Sequence, residues 1–265
     1  MNQQQAIFDL FNLSGRTALI TGASGWLGTS MASALAEAGC RVVVTSRQID
    51  RARQVANSLA THDDLSHIAL QLDQMDPNSI QSSFAAAIEA VGRLDILVNN
   101  GLELVKQDLN DIDFEGFARH QANNAGYFEL ARKMRDHAVE LGTPASIVMI
   151  GSMYGTVGSY PDTYQGLGTA SSVAYHALKG ATLQMTRHLA VYWAGDNVRV
   201  NCLSPGPFPN PNANPDIVER LKTKSPMNRM GQPDELKGAL LLLTSDAGSY
   251  ITGHNLVVDG GWTAW

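Results

Sequence analysis

Only two cysteines occur in the 265 residues, Cys40 and Cys202, each inside an apolar run and far from any Cys-x-x-Cys spacing. That pattern excludes a disulfide framework and a cysteine zinc site, and it suits a reducing compartment. The seven histidines show no metal-ligand spacing either, so no metal is expected. No apolar run reaches the length of a membrane span, and the first fifteen residues carry neither a basic stretch nor a long apolar core. The expectation is a cytoplasmic protein with no membrane partner. Charged residues make up only 17% of the chain, with a net charge of −6 and no block of one sign, which argues against a nucleic-acid surface.

What the chain has is apolar residues, 44% of the total, and 24 glycines. Arg16 to Thr21 (RTALIT) is a short apolar run that opens into Gly22-Ala23-Ser24-Gly25-Trp26-Leu27-Gly28, after which Leu27 to Ala38 has helical spacing and closes at Gly39. A strand, a glycine turn and a helix form the setting in which a pyrophosphate rests on a helix N-terminus. Arg41 to Thr45 (RVVVT) completes a βαβ unit of the length expected for dinucleotide binding. A carboxylate at the end of that second strand would hold ribose hydroxyls and favour NAD(H). This chain has Ser46 there and Arg47 next, with Arg51 and Arg53 following, so NADP(H) is expected and NAD(H) is the alternative.

The alternation continues. Strand-like runs lie at His67 to Leu72, Asp95 to Val98, Ala145 to Ile150, Val198 to Leu203 and Asn255 to Val258. Helical runs lie at Pro77 to Val91, Phe114 to Glu140, Ser171 to Ala194 and Pro233 to Leu243. Seven apolar strands alternating with helices predict an α/β fold: a doubly wound Rossmann-type parallel sheet covered on both faces. No linker, repeat or low-complexity tract interrupts it, so residues 1–265 read as one dinucleotide-binding domain, with 1–13 as an N-terminal extension.

In the helix predicted at 171–194, Tyr175 and Lys179 stand four apart and share a face. The phenol is a proton donor and acceptor, and a neighbouring ammonium favours phenolate, so Tyr175 is expected below the usual tyrosine pKa of about 10. His176 points off that face and reads as structural.

In this order and placement the motifs resemble the short-chain dehydrogenase/reductase family from about Leu13 onward. They are TGASGWLG (21–28), Asp73 after the third strand, NNG (99–101), Asn123 three before Gly126, Ser152, Tyr175-x-x-x-Lys179, Pro205-Gly206 and the tail TGHNLVVDGGW (252–262). The resemblance implies that Tyr175 is the general acid/base and that Lys179 lowers its pKa and holds the nicotinamide ribose. It further implies that Ser152 hydrogen-bonds the substrate oxygen and that Asn123 fixes a water leading from Lys179 to solvent. Asp73 would hydrogen-bond the adenine, and Asn99 lies where the cofactor-side strand ends. The cofactor contacts implied are Gly22, Ser24, Gly25, Trp26, Leu27, Gly28, Ser46, Arg47, Asp73, Asn99, Tyr175, Lys179, Pro205, Gly206 and Phe208.

Three departures from the family pattern stand out. Trp26 replaces a glycine, leaving the spacing Gly22-x-x-Gly25-x-x-Gly28; NNGL (99–102) replaces NNAG; and 23 positions separate Ser152 from Tyr175. The last adds a segment, 156–172, rich in glycine and aromatics, which either frames the pocket or makes a subunit contact. The run PFPNPNANP (207–215) would form the opposite wall, with Asn210 placed for the carboxamide. The expected substrate is a small molecule, a sugar acid, sugar or polyol interconverted between a secondary alcohol and a ketone, as in the gluconate 5-dehydrogenase-like members that the chain resembles. Its hydroxyls would meet Tyr160, Tyr164 or Gln165. Reduction of 3-oxoacyl chains on a carrier protein and a non-catalytic nucleotide-binding role are the alternatives. The long helices at 114–140 and 171–194 predict a homodimer or homotetramer.

Overall fold

A computed structural model describes residues 5–62, 65–105, 107–168 and 171–265. Residues 1–4 of the N-terminal extension and 169–170 of the 156–172 segment lie outside the described residues. Seven short strands rich in β-branched and aliphatic residues make the centre: β1 Thr17–Ile20, β2 Arg41–Ser46, β3 Ile68–Gln71, β4 Ile96–Asn99, β5 Ala145–Ile150, β6 Val198–Pro205 and β7 Asn255–Val258. They pair in the order β3-β2-β1-β4-β5-β6-β7, every neighbour parallel. Successive side chains on a strand point to opposite faces. Thus Leu19, Val43, Leu97, Ile147 and Val200 feed one core, while Ala18, Ile20, Val42, Val44, Val98 and Val148 feed the other. Both faces are covered, which is why the inner strands carry apolar residues toward both sides.

The helices are α1 Ile7–Leu10, α2 Trp26–Glu37, α3 Ile49–Ser58, α4 Pro77–Val91, α5 Phe114–Leu141, α6 Pro161–Tyr164, α7 Val173–Trp193, α8 Pro215–Lys222 and α9 Lys237–Thr244. Residues of α4, α5 and α7 pack into the Leu19 core, and residues of α2, α3 and α9 into the other. Their starts follow local chemistry. Asp76 caps α4 ahead of Pro77, Asp113 caps α5, Ser172 caps α7 through the Tyr175 amide, and Asn214 caps α8 ahead of Pro215. The expected alternation is present, with ends shifted by a residue or two; β6 runs on to Pro205. Two differences are larger. The region expected as one helix from Pro233 begins as a 3-10 turn, Pro233–Leu236, before α9. The 156–172 segment, for which no helical run is given above, contains the single turn α6, started by Pro161.

Strand order reverses direction between β1 and β4. In such sheets ligands settle at the carboxyl ends of the strands flanking that switch.

Candidate active site

A cleft of about 740 Å³ lies at that switch point. One wall is the turn from Gly22 to Gly28, which joins β1 to α2. Gly22 has φ of +60°, and a Cβ on it would stand 2.7 Å from Gly101 Cα; a Cβ on Gly28 would stand 2.3 Å from the Gly22 carbonyl oxygen. Both positions therefore require glycine. Gly25 is less confined, its nearest atom being 3.3 Å from a built Cβ. It is also the N-cap of α2 and offers no side chain to the first amides, which stay available to an anion. This cradle fits a dinucleotide pyrophosphate despite the unusual glycine spacing, with Trp26 at the cleft beside it.

Ser24, Leu27, Ser46, Arg47 and Asp73 also line the cleft, as the sequence predicts. Ser46 is buried, and its hydroxyl accepts from the Ser24 hydroxyl at 2.9 Å and from the Gln48 amide at 3.2 Å. It contributes space more than a free hydrogen bond. Asn99 does not face the cleft. It is fully buried and donates to the Tyr127 carbonyl at 2.9 Å, on the α5 side of the sheet. The cleft residue is its neighbour Asn100, whose side chain donates to the carbonyls of Thr21 and Gly22 at 2.9 and 3.0 Å and so pins the glycine turn.

Ser152, Tyr175 and Lys179, the residues expected to carry the chemistry, lie near the ends of β5 and β6. Ser152 follows β5 and accepts from the Tyr154 amide at 3.1 Å. Tyr175 and Lys179 lie on α7, with Lys179 Nζ 5.7 Å from the centre of the Tyr175 ring. Lys179 is only 3% exposed and donates to the Ile150 carbonyl at 2.6 Å. Burial brings its pKa down from 10.5 to about 8. Tyr175 departs from the expected direction: burial raises it above the ordinary phenol value, and the nearby Ser152 hydroxyl acts the other way. The ammonium is turned to Ile150, so desolvation outweighs any help from its charge.

Asn123 is buried on α5, but its side chain has no group left for a water. Its oxygen accepts from Gln74 Nε2 at 2.9 Å and from the Glu103 amide at 2.8 Å. Its nitrogen donates to the carbonyls of Glu103 at 3.0 Å and His120 at 2.9 Å. It anchors the chain after β4. The adjacent Asn124 ties α5 to α7 by donating to the Leu178 carbonyl at 3.0 Å and accepting from Thr182 at 2.8 Å.

A second pocket of about 230 Å³ opens beside Ser152 and Tyr175, bounded by Met153, Tyr154, Tyr164, Phe208 and Leu221. Gly206 borders it, held by its amide on Val258 O at 2.9 Å, whereas Pro205 is the buried end of β6. The Tyr154 and Tyr164 hydroxyls lie 3.3 Å apart. Tyr164 was expected here; Tyr154 was not, although it follows Ser152 by two residues. Tyr160 instead packs on Trp262 with ring centres 5.5 Å apart, and Gln165 is exposed. Asn210 is exposed as well, accepting from the Asn212 amide within its own turn. His176 is structural, stacked 4.6 Å from Tyr154 and bonded to Ser172 O.

Residues 22–263 match the family model described as enoyl-(acyl carrier protein) reductase. The chain belongs to the short-chain dehydrogenase/reductase family. It is an oxidoreductase of that family, acting on CH–OH groups. It is 35% identical over 265 residues to a galactitol 2-dehydrogenase (L-tagatose-forming) of Cereibacter sphaeroides, covering 97% of this chain and 98% of that one. It is 32% identical to sorbose reductase sou1 of Schizosaccharomyces pombe, covering 96% and 98%. Among solved structures, a gluconate 5-dehydrogenase from Burkholderia cenocepacia in complex with NADP and tartrate superposes with a TM-score of 0.85 at 27% identity, covering 98% of this chain and all of that one. Among the described residues no helix is long and apolar enough to cross a membrane.

Proposed function

We propose that the protein interconverts a neutral polyol and the corresponding ketose, using NADP(H) in preference to NAD(H). The observation that carries the substrate reading is the lining of the pocket at Ser152 and Tyr175: tyrosyl hydroxyls, methionine, phenylalanine and leucine, with no charged side chain among the described residues that line it. A carboxylate buried there would meet no cation among the described lining residues, since Lys179 lies behind Tyr175 and is bonded to the Ile150 carbonyl, whereas substrate hydroxyls can share hydrogen bonds with Tyr154 and Tyr164. The names of the galactitol and sorbose relatives support the same class.

The reduced cofactor, when bound, supplies the hydride. Tyr175 gives its proton to the carbonyl oxygen during reduction and takes it back from the alcohol during oxidation. Its raised pKa keeps it protonated, and so ready to donate, at neutral pH. Ser152 donates to the same oxygen as negative charge develops there. Lys179, still mostly charged at neutral pH, supplies a nearby positive charge that stabilises the phenolate once it forms. Gly22, Gly28 and the first turn of α2, which line the cleft, would hold the pyrophosphate, Asp73 would meet the adenine, and Arg47 with Arg51 would meet a ribose 2′-phosphate. Residues 1–265 act as one cytoplasmic unit that assembles as a homodimer or homotetramer.

The test is a substrate panel of hexitols, aldonates, 2-ketoses and a 3-oxoacyl thioester, following the reduced nicotinamide by absorbance. Hexitols and 2-ketoses should show the highest kcat/KM. Turnover confined to aldonates or to the thioester would overturn the reading.

A further inference from the structure

Glu103 lies in the segment after β4, next to the unusual NNGL, and lines the cleft together with Arg47, which its carboxylate contacts. Its backbone is held on both sides by one side chain: Asn123 accepts from its amide at 2.8 Å and donates to its carbonyl at 3.0 Å. Asn123 is fixed in turn by Gln74 and by the His120 carbonyl, both at 2.9 Å. The carboxylate is thus presented from a rigid seat. It bridges two arginines from different elements, Arg119 Nε of α5 at 2.5 Å and Arg47 Nη1 after β2 at 3.4 Å. The Glu103 side chain is 20% exposed, against 61% for Arg47 and 63% for Arg119.

We infer that Glu103 sets the cofactor selectivity of this cleft by competing with a ribose 2′-phosphate for Arg47. The inference rests on the proposed role of Arg47. A 2′-phosphate needs that guanidinium, and the carboxylate already claims it. The incoming anion must displace Glu103 and then sit near a like charge. The two bonds are unequal, so exchange is feasible: Glu103 keeps its shorter contact with Arg119 and releases the longer one to Arg47. A ribose diol carries no such charge and does not require the exchange. The carboxylate therefore weakens NADP(H) more than NAD(H), narrowing a preference that Ser46 and Arg47 alone would make wide.

Calorimetric titration of the purified protein with adenosine 2′,5′-bisphosphate, NADPH and NADH tests this without turnover. Glu103→Gln keeps the side-chain shape and removes the charge. It should tighten the bisphosphate and NADPH by roughly three- to tenfold, the range of a partly screened ion pair, and move NADH by less than about twofold. In an Arg47→Ala background the same change should lose at least half of its effect. Glu103→Asp, too short to span both arginines, should tighten the bisphosphate in the same direction and guards against a folding defect in Glu103→Gln. No tightening by either variant, or a loss of NADH binding with NADPH unmoved, would overturn the inference. The proposed cofactor role fails separately if Arg47→Ala leaves the NADPH to NADH affinity ratio at its wild-type value.

Discussion

Lys179 carries the largest conflict between stability and function in a single residue. A buried ammonium bonded to the Ile150 carbonyl is held against desolvation, which lowers its pKa to about 8. The unfolded value is 10.5, so between about pH 8 and 10.5 the unfolded chain binds more protons than the folded one. Stability from this group therefore rises with pH across that window, and the full cost, on the order of 3 kcal/mol, is present below it. Lys179→Met should stabilise the apoprotein to urea at pH 7 by about 2 kcal/mol, since the orphaned Ile150 carbonyl returns about 1. The advantage should shrink as the pH is raised from 8 to 10.5. A variant less stable than the wild type at pH 7 would show that the ammonium is better solvated than its burial indicates. At this scale the sequence was legible where a contact is local. Tyr175 and Lys179 share a face because they are four apart on a helix, and Gly22 and Gly28 bracket one turn. Asn99 and Asn100 were exchanged because consecutive residues at a strand end face opposite sides, and no periodicity says which side holds the cleft. The direction of the Tyr175 shift was missed for a related reason: sequence spacing locates a charge but not the carbonyl it turns to.

Among the elements, α6 and α8 are joined beside the pocket at Ser152 and Tyr175. Arg220 Nη1 on α8 donates to the carbonyls of Asp162, Thr163 and Gln165 at 3.4, 3.3 and 2.8 Å. Lys224 adds a 2.7 Å ion pair to Asp162 and lies 4.7 Å over the Tyr160 ring. The inner side of this pair presents Tyr164 and Leu221 to the pocket. Neither helix was legible as part of one unit: α6 is a single turn, and its bond to α8 joins positions 55 to 58 apart in the chain. The expectation that the 156–172 segment frames the pocket or serves a subunit contact becomes a measurable choice. Arg220→Ala should raise KM for the polyol by about tenfold, leave the cofactor Kd within about twofold and leave the assembly mass unchanged. An unchanged KM with a smaller assembly would make the segment an interface instead.

For the whole molecule, the parallel order of seven strands was legible because buried strands must be apolar and crossovers need helices. The outer faces of two long helices say more. Phe128, Val139 and Leu141 on α5 and Val191 and Tyr192 on α7 are exposed, and these are the residues on which the proposed pairing of copies would draw. Light scattering at micromolar concentration should give two or four times the single-chain mass, and a single-chain mass would refute the pairing. Assembly does not bear on the chemistry proposed at Ser152, Tyr175 and Lys179, where one substitution is decisive. Tyr175→Phe removes the proton donor and keeps the ring, so hydride transfer to the ketose that the wild type turns over fastest should fall by about 10²- to 10⁴-fold. NADPH affinity, measured on the same preparation by fluorescence, should stay within about twofold of the wild type. Turnover within tenfold of the wild type, with the cofactor bound normally, would contradict Tyr175 as the group that moves the proton.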